Sequence, residues 1–541
     1  MDLQQEYSKL KNLSDRDLKK HVRRLKTERE ALSMQASLSG GGYTGANSSR
    51  RFSKTWNVAS GTPDELILDD RQELQDKAED LYRNNSIARG IIENKTENTV
   101  GASFKLQSVI DHDVLGISDD YREEWQMNVE RKWRNFASTT ACDAERKHNF
   151  SQKIEIAMRT YQMLGEVFAL YPRFIRKGET VKSRVKLQLM PPRRCQNPYQ
   201  PNSDLIRDGI EISPRGEPVN YWFLRQEGYR SLFGSAEDYV AIPAYGAKTG
   251  RRNVVHIYRT EFIGQNRGVP FLSCIIEDLK QIDRGGKNEL TNMAVTSLFS
   301  AFIETERDIF QNPFEGTKEE IQTDETDLVL DAGLIQRLKP GEKITFANPG
   351  RPNSNVIEFI KQYLVLISMG VGIPYEAMMR QFMSSYSASK AARIEANKHY
   401  MTERNRIVPI ASNLYTEWLI DMVASGEIEA PGFFENPELQ AAWSNHIWIG
   451  EGMRQINEVE ETTAAMMRVN QGFSNRTAEA AAMGFDFEKN IEIAKRENKL
   501  MQDAGLDYSA QTRPEAVIES ESIDSEKKTR EESENETLGG P

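Results

Sequence analysis

The feature that most constrains this chain is an interruption. Residues 271–310, FLSCIIEDLKQIDRGGKNELTNMAVTSLFSAFIETERDIF, have apolar residues at helical spacing, and Pro270 fits a first helical turn. A second helix runs from Asn355 to about Gly370. Between them, 313–352 holds DLVLDAG, GLIQRL and KPGEKITFANPGRP, which read as short strands and turns. A small β module is therefore inserted between two helices. If those helices run antiparallel, they form a stalk with the module at its far tip. Gly285 and Gly286 lie inside the first helix, and paired glycines cost about 2 kcal/mol of helix propensity, so a kink or short break is expected there. With 541 residues the chain is also too long for one core, and two to four domains are expected.

The segment before the stalk, 55–265, mixes both kinds of element. Residues 71–101 carry a helical period that ends at Gly101. A second helix, 119–137, places Trp125, Val129 and Trp133 four apart on one face. A third spans 145–164. Strands are expected at 165–175, 181–190, 207–212, 218–225 and 253–259, with SPRGE (213–217) as hairpin turn chemistry. The fold class is helix-rich α+β, with helices preceding a mostly antiparallel sheet.

After the stalk, 372–389 reads as a loop and 387–426 as a long helix that Pro409 should kink. A proline-rich segment, 429–437, leads to a last helical block, 451–504. The stretch RQFMSSYSAS (380–389) is dense in serine and carries one charge, Arg380. Ala388, Ala392 and Ala396 recur four apart, a stripe that lets another helix approach closely. Lys390 and Arg393 share another face, available to an anion such as phosphate or to a salt bridge.

Charge is unevenly spread. Residues 1–54 hold twelve Lys/Arg against six acids, with leucines at helical intervals, and end in a Gly-rich hinge, SGGGYTG. Residues 515–541 reverse the sign with nine acids against three bases, and this tail is expected to be disordered. The two ends cancel, so the body carries the whole net charge of −11. An acidic body argues against a protein that grips nucleic acid.

Catalytic patterns are missing from the sequence. GAKTGRR (246–252) has the wrong order for a P-loop, and GGGYTG (40–45) lacks the flanks of a dinucleotide site. The six histidines show no zinc spacing, and there is no GxSxG elbow. No cofactor, metal or catalytic residue is expected. The three cysteines have no CxxC spacing, and Cys274, in the apolar run LSCII, is expected to be buried. The best membrane candidate, 363–375, is too short to span and holds glycines and a proline, so no membrane partner is expected.

Six segments, in order over roughly 75–506, resemble the lambda-type portal (head–tail connector) proteins of tailed phages. They are AEDLYRNNSIARGIIENKTENTVG (78–101), DAERKHNFSQKIEIAMRTYQMLGEVFA (143–169), DGIEISPRGEPVNYWF (208–223), VVHIYRTEFIGQNRGVPFLSCIIEDL (254–279), GVGIPYEAMMRQFMSSYSASKAARIEANKHY (370–400) and the block 448–506. The basic arm 1–54 matches poorly. The family often has Asp-Pro and Lys where this chain has Ile456, Asn457 and Glu458, so a different start of the last helical block is expected.

The resemblance implies a ring of twelve identical subunits at one capsid vertex, with a channel through which double-stranded DNA is packaged and ejected. It implies an α+β wing (55–268), a stem (269–312 and 353–371), a clip (313–352), a tunnel-loop region (372–389), a long radial helix with a proline kink returning to the wing (390–447), a crown (448–506) and an acidic tail (507–541). Expected partners are other copies of the chain, the terminase large subunit, major capsid and scaffold proteins, neck and head-completion proteins, and the passing DNA. The expected location is the virion, with assembly in the host cytoplasm. Candidate channel residues are Arg380, Gln381, Ser384, Ser385, Ser387, Lys390 and Arg393; candidate clip-docking residues are Lys339, Glu342, Lys343 and Arg351. The main alternative is a capsid or neck adaptor that does not conduct DNA, although adaptors usually lack the helix–clip–helix insertion. A second is an unmarked enzyme, for which no residue pattern speaks.

Overall fold

The computed structural model describes Lys20, Arg23, Arg24, Lys26, Thr27 and 60–505, apart from 102–103, 180–181, 199–204, 226–237, 299–301, 306–341, 346–353, 383–384, 451–457 and 486. The chain divides after Leu66 into two units. In the first, the described arm residues are helical and exposed. At its end Thr62 and Glu65 cap a helix reciprocally: the Thr62 N–H donates to Oε2 of Glu65 at 2.8 Å, and the Glu65 N–H to Oγ1 of Thr62 at 3.4 Å. That helix, α1, runs Pro63–Asn84.

The helical period of 71–101 is split. Asn85 is extended, with φ −117° and ψ 119°, and its Oδ1 accepts from the N–H groups of Ile87 and Ala88, starting α2, Ser86–Val100. An Asn that can cap competes with helix continuation, which the apolar period cannot reveal. Strand β1 (Lys105–Ser108), a short α3 (His112–Leu115), α4 (Asp119–Ala137) and α5 (Phe150–Leu164) follow. Helix α4 buries Trp125, Val129 and Trp133 as their spacing predicts. Trp133 sits 5.3–5.9 Å from the rings of Phe136, Phe150, Tyr415, Trp418 and Trp448. Truncating such a side chain costs about 3–5 kcal/mol.

The strands between 166 and 258 form two antiparallel sheets. One pairs β2 (Glu166–Leu170) with β3 (Gln188–Met190) and β8 (Val254–Tyr258). The other has the order β4 (Ile206–Arg207), β5 (Ile210–Ile212), β6 (Pro218–Leu224), β7 (Tyr239–Pro243). The 213–217 turn closes the β5–β6 hairpin, with the Ser213 N–H on the Glu217 carbonyl at 2.7 Å. All five residues of β2 are buried because its two faces serve two cores. Val167 and Ala169 join the cluster of α4, α5 and the far half of the long helix, while Phe168 and Leu170 join the one between the sheets.

Helix α6, Ile276–Leu298, runs unbroken through Gly285 and Gly286, without the short break offered as one expectation. Both glycines face open space, and Lys287 bridges to Asp283 at 2.8 Å across the pair. The helix predicted to 310 stops at Leu298; β9 (Phe302–Thr305) then pairs antiparallel with β10 (Glu342–Thr345). Cys274 is exposed, not buried. A 3-10 turn, Ser273–Ile275, turns Leu272 and Ile275 inward together and leaves Cys274 outward. Helix α7 covers Ser354–Val371, and a short α8, Tyr375–Met379, lies within the predicted loop. Helix α9 spans Tyr386–Ala424 with Pro409 inside. It begins one residue before the predicted 387, and Ser387 and Ser389, which fell in both the loop and the helix reading, are helical. Of the alanine stripe only Ala396 is buried; Ala388 is exposed.

The first half of α9 packs with α2, the base of α6 and the end of α7, through Ala396 and Tyr400. Its second half, from Ile407 to Met422, enters the α4–α5 core. Helix α10 (Pro437–Ser444) leads to β11 (His446–Ile449), which pairs with β1. The last block holds α11 (Glu458–Asn470), α12 (Arg476–Ala482) and α13 (Phe487–Asp503). The acidic tail, the Gly-rich hinge and most of 313–352 fall outside the described residues.

Candidate functional site

The predicted channel residues cluster where α8 meets α2 and α9. Asn94 of α2 is the anchor. Its Nδ2 donates to the Ala377 carbonyl at 3.0 Å, and its Oδ1 accepts from the Tyr400 hydroxyl at 2.7 Å. Both Asn94 and Tyr400 are buried, so the end of α8 is fixed to the two larger helices. Three residues on, Arg380 ends α8 in the left-handed region with φ 54°. Its Nη2 reaches Oε2 of Glu97 at 2.6 Å. Asn94 and Glu97 are three apart, so one helix face holds both the carbonyl and the guanidinium.

Gln381 is exposed, with its N–H on the Glu376 carbonyl at 3.0 Å. Ser385 is the N-cap of α9, accepting from the Ala388 N–H at 3.4 Å, and Ser387 is exposed in the first turn. Lys390 bridges to Glu461 of α11 at 3.1 Å, and Arg393 is also engaged. The structure thus brings Arg380, Gln381, Ser385, Ser387, Lys390 and Arg393 into one short stretch. It pairs Arg380 and Lys390 with acids of the same chain. Ser384, Lys339 and Arg351 lie outside the described residues, while Glu342 and Lys343 are in β10, opposite Thr305 and Glu304.

Behind this region lies a buried ionic node that sequence reasoning missed. Glu166, at the start of β2, is fully buried. Arg267, also fully buried, grips it with Nη2 at 2.6 Å from Oε1 and Nε at 2.9 Å from Oε2. His256 Nε2 at 3.0 Å and the Gly268 N–H at 3.1 Å complete the Oε2 contacts. Arg71 of α1 lies 3.4 Å from Oε1 and donates its Nε to Asp208 at 2.5 Å. Burial alone would raise the Glu166 carboxyl; Arg267, with the His256 hydrogen bond, more than reverses this and holds it well below the usual carboxylate range. Burial keeps His256 below its ordinary value and neutral, with the proton on the nitrogen that faces Glu166.

The node rests on a close backbone crossing. Gly165 has φ 85°, and a Cβ there would lie 2.2 Å from the Val269 carbonyl carbon. A Cβ on Gly268 would lie 2.1 Å from the Gly165 carbonyl oxygen. The signals were present: Gly165 and Glu166, Asp208 and Gly209, His256, and the run from Arg267 to Pro270 all fall in the segments that carry the family resemblance.

Lys95, one position after Asn94, is another buried charge. It is fully buried, its Nζ has no hydrogen-bond partner among the described residues, and it lies 3.1 Å from the centre of the Phe271 ring. Burial, only partly offset by Glu403, drives its amine down to about 7.

Burial pushes the thiols of Cys142 and Cys195 up to about 12, so neither is a thiolate at neutral pH. No three His, Cys, Asp or Glu side chains converge as metal ligands among the described residues. No described helix is long and apolar enough to cross a membrane.

Comparison with known proteins gives a family. A family model described as "Phage portal protein, lambda family" matches residues 49–404. Portal protein B of Escherichia phage lambda is 25% identical over 480 residues, covering 84% of this chain and 88% of that protein. The portal protein of Escherichia phage N15 is 25% identical over 496 residues, covering 87% and 91%. Among solved structures, a chain from the neck of a native GTA particle matches 77% of this chain and 93% of its own, at 12% identity and a TM-score of 0.42. The family match takes in α1 to the middle of α9, including both glycines of the backbone crossing, the ionic node and the whole α8–α9 junction. This chain belongs to the lambda family of phage portal proteins.

Proposed function

We propose that this portal protein, a virion component of a tailed phage, forms a ring of twelve copies at one capsid vertex. Double-stranded DNA enters through it during packaging and leaves through it at ejection. The wing is 55–268, the stem 269–312 with 353–371, the clip 313–352, the tunnel-loop region 372–389 and the crown 448–506. The terminase large subunit docks at the clip first, then neck and head-completion proteins. Capsid and scaffold proteins surround the ring during assembly in the host cytoplasm. The protein is not an enzyme: it shapes a path and leaves force generation to the motor. The family match across 49–404 carries this reading.

A conduit must pass DNA without holding it. Neutralising several phosphates creates tight, salt-sensitive binding. A path with few uncompensated cations and no base-reading side chains avoids this. The acidic body and the hydroxyl-bearing Ser385 and Ser387 beside paired cations suit that task.

Replacing Ser385 and Ser387 with tryptophan tests the assignment. Rings should still form, as seen by electron microscopy or native mass spectrometry, while packaged DNA per head falls at least tenfold. Normal packaging by intact variant rings would refute the tunnel-loop assignment.

A further inference from the structure

We propose that Glu97 and Glu461 are charge-cancelling residues that hold Arg380 and Lys390, so that the DNA path carries no net positive ring. This rests on the tunnel-loop reading and assigns its electrostatics to two acids outside the loop.

The geometry is specific. Arg380 is the only charge in 380–389, and its backbone is set by the N–H contacts of Arg380 and Gln381 to the Ala377 and Glu376 carbonyls. Glu97 meets its guanidinium at 2.6 Å from the same face of α2 that binds Ala377 through Asn94. The arginine and its acid are therefore fixed to one rigid unit. Ten residues on, Lys390 meets Glu461 of α11 at 3.1 Å. The two cations thus draw their acids from opposite ends of the chain.

Stabilisation does not explain the Glu97–Arg380 pair. Both side chains are more than half exposed, and such pairs contribute about 0–1 kcal/mol. Their effect is on local charge. A phosphate reaching Arg380 must displace Glu97 and then sit beside a carboxylate. Cyclic symmetry repeats each cation around the ring, so a single uncompensated arginine per subunit would become a belt of positive charge. Each phosphate contact steepens the salt dependence of binding by about 0.9 in log–log slope, or roughly 3.5-fold in affinity between 50 and 200 mM salt. Several contacts at once would turn a conduit into a clamp.

The test uses rings of the full chain and a linear DNA duplex, with binding measured across 50–200 mM salt, alongside packaging. Glu97→Gln should raise low-salt duplex affinity at least tenfold, steepen the salt slope and slow packaging. Adding Arg380→Gln to it should restore both. Arg380→Gln alone should raise neither duplex affinity nor the salt slope, because it removes the cation and leaves Glu97 unpaired. Glu461→Gln should act as Glu97→Gln does, and stands in if the first variant fails to assemble. Duplex affinity raised by Arg380→Gln alone would overturn the proposal. So would unchanged binding and packaging in both glutamine variants. In either case the tunnel reading survives if tryptophan at Ser385 and Ser387 still blocks packaging, and falls if it does not.

Discussion

Replacing Glu166 with glutamine should cost more stability than any other single charge change among residues 60–268. The carboxylate is fully buried, faces the buried guanidinium of Arg267 at 2.6 and 2.9 Å, and also takes His256 and the Gly268 N–H. Glutamine keeps the shape but removes the negative charge. Arg267 and Arg71 would then share only Asp208, whose side chain is one-fifth exposed. Breaking a buried pair from one side costs about 3–5 kcal/mol, because the surviving charge stays desolvated. For a unit of 150–250 residues, each kcal/mol lowers the melting temperature by about 2–4 °C, so a fall of roughly 6–20 °C is expected. Differential scanning fluorimetry at pH 7 measures it, with limited proteolysis near 267 as a local readout. The sign with pH follows from the depressed carboxyl. Its contribution is fully present above the unfolded value of about 4.3 and is lost as pH falls toward the folded value. The wild-type advantage over Glu166→Gln should therefore hold from pH 8 to 5 and shrink below about 4.3. A paired Glu166→Gln, Arg267→Met variant should recover part of the loss, since no unpaired buried guanidinium remains at that position. A melting temperature within 1 °C of wild type for the single variant would refute the account of the node.

A Gly268→Ala variant should fail to accumulate as soluble protein, because its Cβ would meet the Gly165 carbonyl oxygen at 2.1 Å, backbone against backbone; normal soluble yield would count against the crossing. Lys95→Met should stabilise the protein at neutral pH. The Lys95 amine is down to about 7 when folded and near 10.4 when unfolded, so wild type loses stability as pH falls from about 10 to 7, by up to about 1.4 kcal/mol per unit. The advantage of the methionine variant should grow over that window and level off below it. Melting curves for the two proteins that stay parallel from pH 7 to 10 would sink this assignment.

Elements whose signal is local were readable in the sequence. Trp125, Val129 and Trp133 announce a buried helix face by spacing, and 213–217 announces a hairpin by turn chemistry. What failed was competition between local signals. Asn85 can cap as well as continue a helix, and here it caps. Gly285 and Gly286 should weaken a helix, but an ion pair spans them and neighbouring turns carry it. Ser387 fell in both the loop and the helix reading, and Ser385 caps the helix ahead of it. The ionic node was invisible for another reason. It joins Arg71, Glu166, Asp208, His256 and Arg267, and no period or spacing relates them. The same holds for β1 and β11, which pair from opposite ends of the described unit. For the candidate site, the cations were legible as residue types. Their partners Glu97 and Glu461 were not, because each lies on a different helix.

Ion pairing therefore acts at two depths with different consequences. At Glu166 the charges are desolvated, so the pairing decides whether β2, α1 and the chain entering α6 can sit together at all. At Arg380 and Glu97 both partners touch water, and the pairing decides almost nothing about folding. The buried node can change only if the fold changes. The exposed pair can change while the fold stays intact, so in the proposed reading it is the place where charge along the DNA path can be tuned independently of stability. This bears on the net charge of −11: a mean over the chain says little about grip, since a few unpaired cations at the constriction would outweigh many distant acids beyond a screening length of about 8–10 Å. What matters in the proposed reading is whether each cation facing the path has an acid of its own. Arg380 and Lys390 do, at 2.6 and 3.1 Å, and Arg393 is also engaged. A gain of DNA affinity from removing a single acid, with no change in melting temperature, is the signature that separates local cancellation from bulk charge.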